Sequence, residues 1–373
     1  MSLVHAGQEK NISSAMGKAD FYVGLISGTS CDGVDAVITS DLKTPTHSFF
    51  LPYPVSLKAK LNQLITEKQF SLPFFADLDK EISLIFSQAA IKLLDQAGVN
   101  QKDVAAIGSH GQTIYHEGRS YSLQLGNGAL ISENTGIKVI TDFRMTNIAA
   151  QGEGAPLTPI YHKFILGEKD GVVVNLGGIA NITLIENEHI IGYDSGPANT
   201  LLDNWMTSKK SKNYDQNGDF SRSGKVLKAL LEKMLSDPYF KKAPPKSSGR
   251  EYFNPLWLES MLDGSELDED VAATIVELTA LSIVNEIPKD TSVYLCGGGC
   301  HNKFLVERIA ENAKSSDIQT IEKLGYDVDN LEAMCFAFLA HKYINKEASN
   351  IKSFTGASHN RILGAMYSPF ENE

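Results

Sequence analysis

Three clusters of small residues in the 373-residue chain have the make-up of a phosphate-binding site. The first, Ser27-Gly28-Thr29-Ser30-Cys31-Asp32-Gly33-Val34-Asp35, combines glycines, hydroxyl donors at Thr29 and Ser30, and two carboxylates within nine residues. The second is Gly177-Gly178, and the third is Gly297-Gly298-Gly299 followed by Cys300, His301 and Asn302. Glycine at a hairpin tip lets backbone N–H groups approach an anion with no Cβ in the way. Asp32 and Asp35 supply the hard oxygens that Mg²⁺ takes directly or through water. A glycine run opening a helix leaves bare backbone at the helix N-terminus for a nucleotide. Each cluster alone reads better as an ordinary strand end, since the chain holds 30 glycines. Three together, two of them in matched surroundings, point to nucleotide binding.

Other chemistries do not fit. Gly218 to Val226 is the nearest approach to a P-loop, but it has one residue too many between its glycines and Val226 where a Mg²⁺-binding Ser or Thr belongs. Asp142-Phe143-Arg144 is not the Asp-Phe-Gly motif of protein kinases, and the dinucleotide glycine fingerprint does not follow the first strand. Cys296-Gly-Gly-Gly-Cys300-His301 has three residues between its cysteines where haem attachment needs two, and no second cluster at ligand spacing. The four cysteines read as reduced residues of a cytosolic protein.

The elements that must position these groups alternate between strand and helix signals, which predicts an α/β architecture. Phe21–Ile26 and Val34–Ile38 form a hairpin around the first cluster. Val172–Leu176 and Ile179–Ile185 repeat that grammar about 150 residues later around the second. Val293–Cys296 leads through the third into a helix over Lys303–Ala313. A helix is predicted over Leu78–Ala97, with Ile82, Ile85, Phe86, Ala89 and Leu93 on one face and Gly98 as its stop. Val104–Ile107 reads as a short strand ending in a polar loop, Gly108 to Thr113, and Ser208–Gly249 as an exposed excursion.

The composition, 42% hydrophobic and 21% charged, is that of a globular chain, and the length predicts about two domains. The net charge of −11 argues against nucleic acid as a partner. No apolar run is long enough for a membrane span, and residues 1–20 read as a polar tail without the apolar region of a secretory signal.

Nine motifs, in order, resemble the anhydro-N-acetylmuramic acid kinases. They are Gly24-Leu-Ile-Ser-Gly-Thr-Ser-Cys-Asp-Gly-Val-Asp35, Gly108-Ser-His-Gly-Gln-Thr113, Asp142-Phe-Arg144, Gly154-Ala-Pro-Leu157, Asn175-Leu-Gly-Gly178, Gly192-Tyr-Asp-Ser-Gly-Pro-Ala-Asn199, Cys296-Gly-Gly-Gly299, Glu332-Ala-Met334 and Thr355-Gly-Ala357. The resemblance implies two related actin-like ATPase domains, each ribonuclease H-like, around a deep cleft. Domain I is then expected over 21–145 plus 345–373, and domain II over 146–344. It also implies a cytoplasmic homodimer that uses ATP and Mg²⁺ to open the ring of 1,6-anhydro-N-acetylmuramic acid and phosphorylate it in peptidoglycan recycling. A kinase of the same fold acting on another sugar, and a nucleotide-gated sugar sensor, are the competing readings.

By the same resemblance, Asp194 is the base that activates water. The residues alone leave it equally well as the cap of a helix over Ala198–Met206 or as an Asx turn. Glu332 is implied near the sugar, holding the attacking water, against a solvated helix-start residue behind an Asn330 cap. His110 and Gln112 are implied to line the sugar site, and Arg144 offers a guanidinium fork for the lactyl carboxylate, with a surface ion pair as its other reading. The ATP contacts implied are Gly28 to Asp35, Gly177, Gly178, Gly297 to Gly299 and Asn302. Three positions depart from the family pattern: Met145-Thr146-Asn147 in place of a further arginine and an aspartate, Glu153 for glutamine, and Ala198 for glycine.

Overall fold

The computed structural model describes residues 21–28, 30–67, 70–187, 189–244, 246–249, 252–314 and 316–370. The expected polar tail and Thr29 lie outside the described residues. Twelve strands build two sheets. The first contains β1 (Phe21–Ser27), β2 (Gly33–Thr39), β3 (His47–Pro52), β4 (Val104–Glu117), β5 (Tyr121–Leu125), β6 (Val139–Thr141) and β12 (Ala365–Tyr367). The second contains β7 (Gly171–Leu176), β8 (Ile179–Glu186), β9 (His189–Pro197), β10 (Ser292–Cys296) and β11 (Asp317–Thr320).

The two sheets share one plan. In the first, β1, β2 and β3 form an antiparallel meander, β4 lies parallel beside β1, and β6 lies parallel beside β4. In the second, β7, β8 and β9 repeat the meander, with β10 parallel to β7 and β11 parallel to β10. The spatial orders β3-β2-β1-β4-β6 and β9-β8-β7-β10-β11 therefore match strand for strand. The fold is α/β with two related units, as the repeated hairpin predicts.

Helices α1 (Val55–Glu67) and α2 (Leu72–Ala97) cover the outer face of the first sheet, while α3 (Gly128–Thr135) and α4 (Phe143–Ala149) flank β6. Helix α2 starts six residues before its predicted first turn because Ser71 caps it, accepting from Phe74 N, with Pro73 inside the first turn. Helix α5 (Pro159–Leu166) lies on β8 and β9, and α6 (Asn199–Lys210) and α10 (Asp268–Val284) cover the other face of the second sheet. Short helices α7 (Asp219–Ser223), α8 (Lys228–Leu235) and α9 (Pro255–Met261), with α11 (Lys303–Asn312), pack around α10 and α6. Helix α12 (Leu331–Ile344) lies across β1, β2 and β4, so this part of the span expected for domain II sits on the first sheet. Its face Ala333, Ala337 and Ala340 joins Val173, Tyr294 and Cys296 of the second sheet in one buried cluster.

Two expectations fail here. The polar run Gly108–Thr113 is not a loop but the middle of β4, which extends to Glu117. Pairing with β1 on one side and β5 on the other outweighs the weak strand preference of Gly, His and Gln. Nor is Ser208–Gly249 an exposed excursion: Asp215, Ser221, Leu230, Met234, Tyr239 and Lys246 are buried within it. Cys296, Cys300 and Cys335 are free thiols, and among the described residues no helix is long and apolar enough to cross a membrane.

Candidate active site

Two glycines set the geometry. Gly24 on β1 and Gly108 on β4 are register partners, and a Cβ on either would meet helix α12 head on, 1.9 Å from Ala333 O and 2.0 Å from Phe336 O. The α12 backbone therefore rests directly on the sheet, which fixes Glu332 in its first turn over the site end of the strands. Alternation along β2 sends Val34 and Ala36 into the core beneath α1 and α2, and turns Asp35 to the face that carries α12.

Of the sequence-predicted residues, Asp35, Glu332, Arg144 and His110 come together there. Asn175, the polar last-but-one residue of the otherwise apolar strand β7, donates Nδ2 to Glu332 Oε1 at 2.9 Å, a bond from the second sheet to α12. A Cβ on Gly297, whose φ is +84°, would fall 2.2 Å from Asn175 Oδ1, so the third glycine cluster makes room for this amide. Arg144 Nε donates to His110 Nε2 at 2.8 Å. His110 Nδ1 lies 3.0 Å from Gly111 O, so it carries the ring proton and donates to that carbonyl. Burial first, and then the Arg144 charge, hold His110 well below the usual histidine range. Burial pushes Arg144 down to about 10, with Glu332 acting the other way. Burial raises Glu332, while the Asn175 bond and Arg144 oppose the rise. His110 and Arg144 thus form a neutral-imidazole and guanidinium pair, and Arg144 is not a surface ion pair. Glu332 is not the solvated residue of its bland reading, and Asn330 makes no side-chain cap bond.

Gln112, expected in the sugar wall, is fully buried and braces the tip of the first hairpin. It accepts from Ser27 Oγ at 2.6 Å and donates to Gly28 O and Thr113 O, each at 3.2 Å. Ser30, Cys31 and Asp32 stand at the tip, with Cys31 N–H donating to Gly28 O at 3.2 Å. Gly33 and Val34 belong to β2, where a Cβ on Gly33 would strike Leu51 O. Gly177 and Gly178 present their carbonyls to the amides of Ala198, Asn199 and Thr200, which tie the second tip to the start of α6. Gly298 has open space where a side chain would be, whereas Gly299 packs on Leu176. Asn302 caps α11 by accepting from Leu305 N at 3.0 Å, so its side-chain oxygen is committed to the helix.

Asp35 is pushed up to about 7, chiefly by burial and then by Glu332, Asp329 and Asp32. A buried carboxylate among like charges, with hard oxygen donors, suits Mg²⁺. Among the described residues no group of three or more His, Cys, Asp or Glu stands ready to hold a metal. Asp32 fits the direct role less well, because its exposed carboxylate is ion-paired with Lys58.

Asp194 belongs to a different set of contacts. It sits on the edge strand β9 opposite Asn181, and Asn181 Nδ2 donates to its Oδ1. Ser248 N and Ser247 Oγ donate to Oδ2 at 2.9 and 3.2 Å. It does not cap α6, whose N-cap position is Ala198 without a side-chain bond.

The positions that depart from the family pattern serve the fold. Met145 Sδ accepts from Ser122 N. Thr146 Oγ1 bonds Asp142 O and accepts from Gly364 N. Asn147, fully buried, donates to Thr355 Oγ1 at 2.8 Å and accepts from Gly154 N at 2.7 Å. Glu153 pairs with Arg119 at 2.5 Å. Sequence reasoning assigned no role to Asn175, Ser27, Asp329, Asn181 or the Lys246–Ser248 stretch. Only Asn175 gave a signal, as an amide closing an all-buried apolar strand.

A family model described as anhydro-N-acetylmuramic acid kinase matches residues 20–369. A protein of that name from Nitrosomonas europaea is 40% identical over 361 residues, spanning 93% of this chain and 99% of that protein. Another from a Sulfurovum species is 43% identical over 359 residues, spanning 93% and 98%. Among solved structures, the activator of the 2-hydroxyisocaproyl-CoA dehydratase from Clostridium difficile with bound ADPNP aligns with 87% of this chain and 96% of its own. The TM-score is 0.48 and the identity 14%.

Proposed function

The chain belongs to the anhydro-N-acetylmuramic acid kinase family, and from that premise we propose that it converts 1,6-anhydro-N-acetylmuramic acid, water and ATP to N-acetylmuramic acid 6-phosphate and ADP. The observation that carries this reading is the meeting of Asp35, Glu332, Arg144 and His110, on or beside the first sheet, with Asn175 and Gly297 of the second. In the reaction, a water oxygen bonds to the anomeric carbon as the bond from that carbon to O6 breaks, and the water proton passes to Asp194. The freed O6 attacks the γ-phosphorus in line, the bridge to the β-phosphate breaks, and ADP leaves. Most of the barrier is lowered by positioning and by charge stabilisation.

Each residue has a part in this scheme. Glu332, held by Asn175, orients the attacking water. Arg144, aimed by the neutral His110, receives the lactyl carboxylate. Gln112 holds the first phosphate tip in place, and the three glycine clusters offer backbone to the nucleotide. Mg²⁺, when held by Asp35 with Asp32 in reach through water, neutralises phosphate charge. The division at 145/146 and 344/345 is part of the same reading, with α12 carried on the first sheet, and so are a homodimeric state and a cytoplasmic location in peptidoglycan recycling. Family membership supports these.

One coupled assay tests the core of the proposal. Protein, ATP, Mg²⁺ and 1,6-anhydro-N-acetylmuramic acid should release ADP and form the sugar phosphate in equal amounts. ADP without sugar phosphate, or neither product from folded protein, would overturn it.

A further inference from the structure

The stretch that follows Tyr239 returns to the edge of the second sheet and closes on Asp194. The Asp194 N–H donates to Lys246 O at 2.9 Å, and the Asp194 carbonyl accepts from Tyr239 Oη at 2.8 Å. The next two residues, Ser247 and Ser248, each donate to Asp194 Oδ2. The Lys246 side chain runs the opposite way, into the protein. It is 3% exposed, its Nζ lies 2.6 Å from Glu286 Oε1, and it stands 5.2 Å from the centre of the Tyr239 ring. Glu286 is in turn fixed through its carbonyl, which accepts from Tyr193 Oη at 3.3 Å, one residue before Asp194 on β9. A buried ion pair of this kind is costly to break, because the surviving charge has no solvent to turn to. Lys246 is therefore the fixed end of a three-residue strap, and the donors to the carboxylate are its free end.

We propose that Lys246 is a positioning residue for the reaction: its buried pair with Glu286 holds the Lys246–Ser248 strap against β9 and so aims the Asp194 carboxylate at the attacking water. The proposal rests on the reading of Asp194 as the base. Donors on one oxygen and an amide on the other leave the carboxylate a single orientation. A strap released from its anchor lets that orientation drift, and a displacement of about 1 Å in such a group costs on the order of 100-fold in rate.

The test compares Lys246→Gln, Lys246→Arg, Asp194→Asn and the Lys246→Gln/Asp194→Asn double variant in the coupled assay. Lys246→Gln should lower kcat about 10- to 100-fold and leave the KM for ATP unchanged. The acidic limb of its kcat/KM profile should move to higher pH, since donors to a carboxylate favour its charged form. Lys246→Arg should restore most of kcat. In the Asp194→Asn background the lysine change should add no further loss, because both act through one group. Wild-type kcat in folded Lys246→Gln, with Asp194→Asn inactive, overturns the positioning role alone. Normal turnover in Asp194→Asn overturns the base assignment beneath it. Full additivity in the double variant shows a general structural effect and also overturns the proposal. If Lys246→Gln does not fold, Ser247→Ala removes one strap bond from an exposed position. It should lower kcat with the same movement of the acidic limb, and an unchanged profile counts against the idea.

Discussion

The two sheets follow one plan, yet they treat their carboxylates in opposite ways. On the first, Asp35 is buried among Glu332, Asp329 and Asp32 and is pushed up to about 7. On the second, Asp194 is surrounded by donors from Asn181, Ser247 and Ser248. A carboxylate crowded by like charges is prepared to meet a cation, whereas one fixed by amides and hydroxyls is prepared to act in a set direction. Duplicated topology thus supplies two frames, and the proposed roles, one binding charge and the other moving a proton, follow from the residues inserted in each.

Substitution at the two carboxylates is the sharpest way to separate these roles. Asp194→Asn keeps its size and one acceptor oxygen for the strap donors, so the fold and ATP binding should persist while turnover falls by about 10²- to 10⁴-fold, the usual worth of a positioned base. ADP release followed beside equilibrium ATP binding checks this. Similar losses in both would erase the contrast between the sheets. Asp35→Asn should act on a different axis. The Mg²⁺ concentration for half-maximal rate should rise about 10- to 100-fold, and stability to urea should not fall, since a crowded charge has been removed. A Mg²⁺ titration at fixed ATP reads this directly, and an unchanged midpoint would take Asp35 out of the metal site.

A third measurement concerns a buried group away from both carboxylates. His162 on α5 faces Thr183 Oγ1 on β8 at 2.8 Å, and burial pushes it down to about 3. The ordinary histidine value is near 6.5, so the unfolded chain takes up a proton that the folded one refuses as pH falls below it. This contribution to stability is complete above about pH 6.5 and is lost between there and about pH 3. The loss is about 1.4 kcal/mol per pH unit, or tenfold in the folding constant. Urea unfolding of wild type and His162→Gln at pH 7 and pH 5 checks the sign: the difference between the two proteins should narrow at the lower pH. A gap that widens would place a charged imidazole in the core.

What the sequence revealed and what it concealed divide along the same physical line. The phosphate tips were readable because hairpins and glycine runs are local, and their repetition predicted the paired sheets. Asp194 was found by resemblance, but the strap that holds it was not, because Lys246 lies 52 positions further on in a stretch whose polarity read as solvent exposure. Glu332 read equally as a solvated helix start, since its partner Asn175 is 157 residues away. His110 and Gln112 were assigned to a loop because glycine and polar residues seldom build a strand. Only the neighbours β1 and β5 show that here they do.

Gly24 and Gly108 carry a consequence for how this molecule can move. With no side chain on the sheet at these two points, α12 has no clearance in which to slide over β1 and β4, so it must travel with the first sheet as one rigid part. Any opening between the units then has its slip plane on the far side of α12, where the Asn175–Glu332 bond crosses. That bond, with the one from Tyr161 Oη to Leu42 O, becomes a gauge of the gap: intact when the two halves of the site are assembled.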